Sequence, residues 1–329
     1  MRFLALSDTH FGFETGKTSE ARKFTYEQTF QRTKELIEIA KKEKVDAILH
    51  AGDVFNRSTP RKNVVKRAYD LIEEILRNDI GFFVVPGNHE RSRLPESLLA
   101  FYPKSHFFAK INAIELEDTL VVGFPYESKN FQLVMNKIQK LAQESSEKHC
   151  IVLCHQLFDG SSFGPHNFVF RKHHGAITRE QIPEEVNLVV SGHIHKAQSL
   201  YNRLVVYPGS IERTSFVEII EPKGYLLIDS TNETLQVEFK TLKTSEMNVI
   251  EESLVSKELD FTNLKERIEP GFIRTLLRFT GRLLTTNELE SLRTVFSYKE
   301  YPLLVISPRL PNYQLKPLYN NFSTEFSFE

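Results

Sequence analysis

Leu49-His50-Ala51-Gly52-Asp53-Val54-Phe55-Asn56 is an apolar run that stops at a glycine, with one carboxylate immediately beyond it. The same grammar recurs along the first two hundred residues. Residues 3–6 precede Asp8 and His10, residues 82–85 precede Asn88 and His89, residues 151–153 precede His155, and residues 188–190 precede His193 and His195. Five strand-like runs thus deliver Asp, Asn or His just past their C-terminal ends. In open α/β sheets that edge is where sites form.

Between these runs the apolar period changes to that of helices. Tyr26, Phe30, Thr33, Ile37 and Ala40 recur at three or four residues, after a polar loop over 11–24. Val64, Ala68, Leu71, Ile72 and Ile75 form a second stripe, with Ser58 or Thr59 as cap and Pro60 in the first turn. Strand, helix, strand, helix, strand predicts parallel pairing with crossover helices, an α/β fold. A short helix over 95–101, a hairpin of 113–116 with 120–124 turning at Glu117 and Asp118, and a helix over 128–147 continue the chain. An irregular segment over 159–183 follows, and long loops of this kind are usually functional or mobile. The runs 204–207, 224–228 and 235–239 read as antiparallel strands.

At 329 residues, with 40% hydrophobic content, two domains are expected. The reading divides the chain into 1–240, a small α+β unit over 241–310 with a capping box at Thr285 and Glu288, and a polar tail over 311–329. Lys and Arg total 42 against 43 Asp and Glu, so nucleic-acid binding would have to rest on local patches. Two such patches are Arg57, Arg61 and Lys62, and the loop residues Arg171, Lys172, His173 and His174, each weighed against a plain solvated surface. Cys150 and Cys154 read as small core hydrophobes and His50 as a buried, hydrogen-bonded histidine. No run approaches the ~20 apolar residues of a membrane span, and Met1 leads straight into a strand, which together predict a cytoplasmic protein with no membrane contact.

In order, the polar termini are Asp8-x-His10, Gly52-Asp53, Gly87-Asn88-His89-Glu90, His155 and Gly192-His193-x-His195. Singly each is weak, because a strand-end histidine is more often merely hydrogen-bonded. As an ordered set they point to a dinuclear metal centre. Mixed imidazole and oxygen donors suit Mn, Fe or Zn better than Mg or Ca. Ligands at i and i+2 on a strand end project to one side, so Asp8 with His10, and His193 with His195, can each reach one cavity.

The set resembles the calcineurin-like metallophosphoesterase superfamily over residues 1–230, and more closely the SbcD-type nucleases of DNA double-strand-break repair. The closer likeness lies in Asp8-Thr9-His10, in Ala51-Gly52-Asp53-Val54-Phe55 followed by Ser58-x-Pro60, and in Tyr207-Pro208-Gly209-Ser210-Ile211-Glu212-Arg213-Thr214-Ser215-Phe216. The last motif discriminates, since general phosphatases of the superfamily share the ligands but not Pro-Gly-Ser with its trailing Glu-Arg and Phe. The resemblance implies a two-sheet sandwich flanked by helices, with a small C-terminal capping domain that restricts DNA entry. It implies two divalent ions, Mn2+ by preference, with Asp8, His10, Asp53 and His195 on one and Asp53, Asn88, His155 and His193 on the other. A water shared by two ions becomes a nucleophile near neutral pH. His89 would face the scissile phosphate, stabilising the transition state or protonating the leaving 3′ oxygen.

By the same resemblance the activity is 3′-to-5′ exonuclease and single-strand endonuclease. The partners are DNA, a second copy of the chain contacted through residues such as Leu98 and Leu99, and an SbcC-type coiled-coil ATPase whose binding segment is not evident here. Asn56 departs from the family, which often carries His or Asp there, and this puts tuning of the site in doubt. Two other readings stay open: a small-molecule phosphatase or cyclic-nucleotide phosphodiesterase, and a DNA-end tethering scaffold.

Overall fold

The computed structural model describes residues 1–90, 103–171, 174–254 and 259–307. Its first part follows the predicted alternation through β1 (Arg2–Leu6), α1 (Ser19–Lys42), β2 (Ala47–His50), α2 (Lys62–Arg77) and β3 (Gly81–Val84), and adds an unexpected strand, β4 (Ser105–Phe107). The four strands pair in parallel in that order. Every residue of β2 and β3 is buried, and burial on both faces is why such strands read as unbroken apolar runs.

Two helix starts differ from the reading. α1 begins inside the expected loop, because the Thr18 hydroxyl caps it by accepting from Ala21 N at 3.1 Å; the polar first turn hid the period. α2 begins after Arg61 with no side-chain cap, so neither Ser58 nor Thr59 caps it and Pro60 lies ahead of its first turn. Its stripe is as expected, with Val64, Ala68, Leu71, Ile72 and Ile75 all buried.

The second sheet opens with the expected hairpin, β5 (Asn112–Glu115) and β6 (Thr119–Gly123), and α3 (Phe131–Glu144) crosses to β7 (His149–Cys154), parallel to β6. The long segment is not wholly irregular. It carries β8 (Leu157–Phe158) paired with β11 (Ala176–Ile177), and a small hairpin of β9 (Ser162–Phe163) and β10 (Phe168–Val169). Then come β12 (Leu188–Ser191), β13 (Gln198–Leu200) and β14 (Val205–Tyr207). The expected antiparallel pairing holds on one side of β14, with β13, and fails on the other, where β14 is parallel to β12: β13 reverses the chain once and the turn at Tyr201 to Arg203 reverses it again. β15 (Gly224–Asp229) and β16 (Gln236–Thr241) do pair antiparallel, and they complete the first sheet beside β1.

The sheet orders are β16-β15-β1-β2-β3-β4 and β13-β14-β12-β7-β6-β5. Alternation along each strand sorts the core into layers. Phe3, Ala5, Leu49 and Phe83 of the first sheet meet Val121, Ile151, Leu153 and Val190 of the second. Leu4, Leu6, Ile48 and Phe82 turn outward to α1 and α2, while Val122 and Val152 turn to α3. Cys150 and Cys154 lie in that outer layer, and burial pushes both thiols up to about 12.

The C-terminal unit is a parallel sheet in the order β17-β18-β19, formed by β17 (Met247–Ser253), β18 (Arg274–Thr280) and β19 (Leu304–Ser307), with α4 (Phe261–Arg267) and α5 (Thr286–Val295) between them. β17 was not expected; the capping box at Thr285 and Glu288 is present. Arg274 ties this unit to the larger body by donating to the carbonyls of Arg213 (2.7 Å) and Thr214 (3.1 Å), and Phe272 stacks on Phe24. The expected helix over 95–101 with Leu98 and Leu99, the residues Lys172 and His173, and the tail lie outside the described residues. Among the described residues no helix is long and apolar enough to cross a membrane.

Candidate metal centre

The loops leaving β1 and β2 are stitched together. Ala51 N donates to Leu6 O at 2.8 Å, Asp8 N to Gly52 O at 3.0 Å, His10 N to Asp53 O at 3.0 Å and Phe11 N to Val54 O at 2.8 Å. Here the backbone leaves the extended region: Asp8, His10, Asp53 and His193 have φ of 51°, 47°, 53° and 83°. Left-handed non-glycine residues cost roughly 1–3 kcal/mol each and persist where their surroundings over-determine them. Asp8 and His10 therefore reach one cavity through left-handed turns past the end of β1. The strand alternation invoked from sequence is not the cause.

The predicted residues gather in two groups with Asp53 between them. His10 Nε2 and His195 Nε2 lie 3.0 Å apart, each close to Asp8 Oδ1, at 3.9 and 3.8 Å. On the other side, His155 Nε2 and His193 Nδ1 both lie 3.0 Å from Asn88 Oδ1. Asp53 Oδ2 is 3.9 Å from His10 Nε2 and 3.4 Å from His155 Nε2. His89 approaches the same oxygen at 3.8 Å. Its Nδ1 donates to Asn56 O at 2.9 Å, and its backbone N donates to Asp53 Oδ1 at 2.9 Å. Asn56 thus meets His89 through its backbone carbonyl, which a residue of any type there would supply.

These atoms fit divalent ions. Asp8 Oδ2 and His10 Nδ1 are buried without a hydrogen-bond partner, and such atoms are costly to leave unpaired. Asp8, His10 and His195 form one group able to hold a metal ion, and Asp8, Asp53 and His155 another. Burial holds the His10 imidazole well below its ordinary range and that of His193 at about 4, which keeps both neutral with a lone pair to offer. Burial opposes charge at Asp53, but His155 outweighs it and holds the carboxyl below the usual range. The same pairing lifts His155, against its own burial, to about 9. A buried pocket that draws a proton onto an imidazole in this way is one that favours a cation.

Several residues support the cluster from behind, and of these Glu218 and Lys223 belong to no motif of the sequence. His155 Nδ1 donates to Ala51 O at 2.8 Å, leaving Nε2 for the cavity. Glu218 Oε1 sits 3.2 Å from His195 Nδ1, while its Oε2 pairs at 2.8 Å with Lys223, a fully buried lysine that also donates to His195 O at 2.8 Å. Glu90 accepts from Phe55 N at 2.6 Å and Gly87 N at 2.8 Å, joining the loops after β2 and β3; burial and Asp53 push its carboxyl up to about 8. The Tyr207 to Phe216 motif supports His195: Ser210 N donates to His195 O at 3.1 Å, and a Cβ on Gly209 would lie 2.7 Å from that oxygen.

Gly192 shows how closely the two sheets approach. A Cβ there would stand 2.1 Å from Ala51 O and 2.6 Å from His155 Nδ1. Gly192→Ala is expected to cost about 3 kcal/mol, as overpacking does at its upper range, read as a lower denaturant midpoint. An unchanged midpoint would mean that the strand ends part without cost.

His50 is buried, with Nε2 3.0 Å from the Thr9 hydroxyl. Of the basic candidates, Arg61 is paired with Glu14 at 2.8 Å, while Arg57, Lys62, Arg171 and His174 are exposed outside the cluster.

The family profile described as calcineurin-like phosphoesterase matches residues 1–197. The chain is similar to the DNA double-strand break repair protein Mre11 of Methanocaldococcus jannaschii, 24% identical over 250 residues that cover 72% of this chain and 64% of that protein. It is similar to a component of the nuclease SbcCD of Staphylococcus saprophyticus, 22% identical over 278 residues covering 76% and 72%. A third relative is the uncharacterized metallophosphoesterase YhaO of Bacillus subtilis, 26% identical over 228 residues covering 65% and 52%. The chain thus spans less than two thirds of the first and third of these proteins.

Proposed function

Because the chain belongs to the calcineurin-like phosphoesterase family, we propose that it is a metal-dependent DNA phosphodiesterase of double-strand-break repair, with 3′-to-5′ exonuclease and single-strand endonuclease action. The observation that carries this is the convergence of Asp8, His10, Asn88, His155, His193 and His195 on Asp53, with half-exposed His89 at the open side. The choice of DNA is supported by the repair-nuclease names of two relatives and by the Tyr207 to Phe216 segment behind His195.

Asp8, His10, Asp53 and His195 would hold one ion, and Asp53, Asn88, His155 and His193 the other; the mixed donors favour Mn2+. Bound there, two ions polarise phosphoryl oxygens and supply an activated water. The chain's own residues do the positioning. The Ala51 carbonyl and the Glu218 carboxylate orient His155 and His195. With Nδ1 committed to Asn56 O, His89 presents Nε2 as the atom that meets the substrate. The C-terminal unit, docked through Arg274 on Arg213 and Thr214 of the Tyr207 to Phe216 segment, is proposed to cap the site and restrict entry. A homodimer and an SbcC-type ATPase complete the proposed assembly.

The test is incubation with linear and circular, single- and double-stranded DNA in Mn2+ or Mg2+, beside p-nitrophenyl phosphate. DNA cleavage is expected, stronger in Mn2+, with circular single strands nicked. Turnover of the monoester alone would reject the nuclease reading.

A further inference from the structure

Two phenylalanines stand in solvent on the β9–β10 hairpin, and the chemistry above does not use them. Phe163 is 42% exposed and Phe168 59%. Scattered exposed apolar residues are ordinary, whereas a contiguous cluster calls for a reason. These two oppose each other across the β9–β10 pair, with ring centroids 5.5 Å apart, and each lies 5.4 Å from the ring of Phe170. Phe170 roots the cluster against the core of the second sheet. The turn is tight: Gly164 and Asn167 take φ of 71° and 49°, and Asn167 N donates to Gly164 O at 3.0 Å.

The hairpin is fastened to the residues that place His195. Lys196, the next residue, donates to Ser162 Oγ at 3.2 Å and Asn167 Oδ1 at 2.6 Å. Gln198 clasps Ser162 through both ends of its amide, each bond 2.8 Å. Glu221, paired with buried Lys223 at 3.0 Å, accepts from Gly164 N at 3.2 Å. The hairpin that carries the rings is therefore tied through Lys196 to the residue next to His195. Lys196 spends its ammonium on neutral oxygens, and Arg171 is exposed at the foot of the hairpin, so cations flank the rings.

We propose that Phe163, Phe168 and Phe170 form a stacking platform for unpaired bases of a DNA strand entering the metal centre, with Lys196 and Arg171 meeting its phosphates. This rests on the nuclease reading and narrows its substrate to single strands and frayed ends. Every base offers a π-face to an aromatic ring, whatever the sequence, whereas a blunt duplex keeps its base faces stacked inside. A protein partner fits less well: two partly exposed rings offer on the order of 200 Å², against the ~800 Å² a side of a stable protein interface.

The test compares the full chain with its Phe163→Ala/Phe168→Ala variant, in EDTA so that nothing is cut, by anisotropy on short oligodeoxythymidine and on blunt duplex. Binding to the single strand is expected to weaken about tenfold or more, while duplex binding changes little. Turnover of bis(p-nitrophenyl) phosphate in Mn2+ should match the parent, which certifies the fold and the centre. The chain has no tryptophan, so Phe168→Trp supplies a lone reporter. Its emission should be quenched by oligodeoxythymidine and not by heparin, which carries charge without bases. Equal weakening on both DNAs, no weakening, or no quenching would overturn the platform and leave the nuclease reading standing. A parent chain that turns over the small diester but neither binds nor cuts any DNA would overturn both.

Discussion

Asp53→Asn is expected to leave the chain folded and to empty both ion positions together. Asparagine tolerates the left-handed φ of 53° at this position and keeps an oxygen for the hydrogen bond from His89 N. What it lacks is the negative charge that stands between the two groups, 3.9 Å from His10 Nε2 and 3.4 Å from His155 Nε2. Bound Mn2+ per chain, measured after gel filtration, should fall toward zero, and diester turnover should drop by about a thousandfold or more, since the several kcal/mol that metal ions contribute go with them. His155→Ala is the contrasting case. It removes a donor only from the side of Asn88 and His193, so loss of chiefly one ion is expected. If Asp53→Asn still carried two ions per chain, the shared role would have to pass to another residue.

Much of the layout was open to reading because parallel strands buried on both faces leave unbroken apolar runs, and parallel pairing brings their C-terminal ends together. Asp8, Asp53, Asn88, His155 and His193 follow such runs, and the structure gathers them. The left-handed backbone that aims four of the site residues is another matter. No local pattern marks a positive φ at an aspartate or histidine; tertiary bonds such as Asp8 N to Gly52 O impose it. Glu218 and Lys223 were equally invisible, since they reach His195 across 23 and 28 residues from a segment with no motif of its own. Charge runs hide their pairing for a related reason. Arg61 belongs to a stretch without acids, yet folding brings Glu14 to it, and Arg67 nearby is clamped by both oxygens of Glu27. The segment of β17, with Val249 beside Ile250 and Glu251 beside Glu252, shows no alternation, and pairing with β18 makes it a strand.

His89→Gln should separate binding from catalysis. The backbone N of residue 89, not its side chain, orients Asp53 Oδ1, so the substitution leaves that bond in place and both ions are expected to stay. DNA cleavage should nevertheless fall by about 10²- to 10⁴-fold, the usual cost of removing an acid–base group. The geometry admits a rival account, because His10, Asp53 and His89 also form a group able to hold a metal ion. Under that account Mn2+ content falls along with activity, so metal content decides between them. If the ions stay, the choice of substrate tells which of two roles His89 fills. A p-nitrophenolate departs without needing a proton, whereas the 3′ oxygen of DNA does need one. Should His89 protonate the leaving oxygen, His89→Gln will cripple cleavage of DNA while bis(p-nitrophenyl) phosphate turnover falls far less. Should it instead stabilise charge on the phosphoryl oxygens, which both substrates develop, the two rates will fall together.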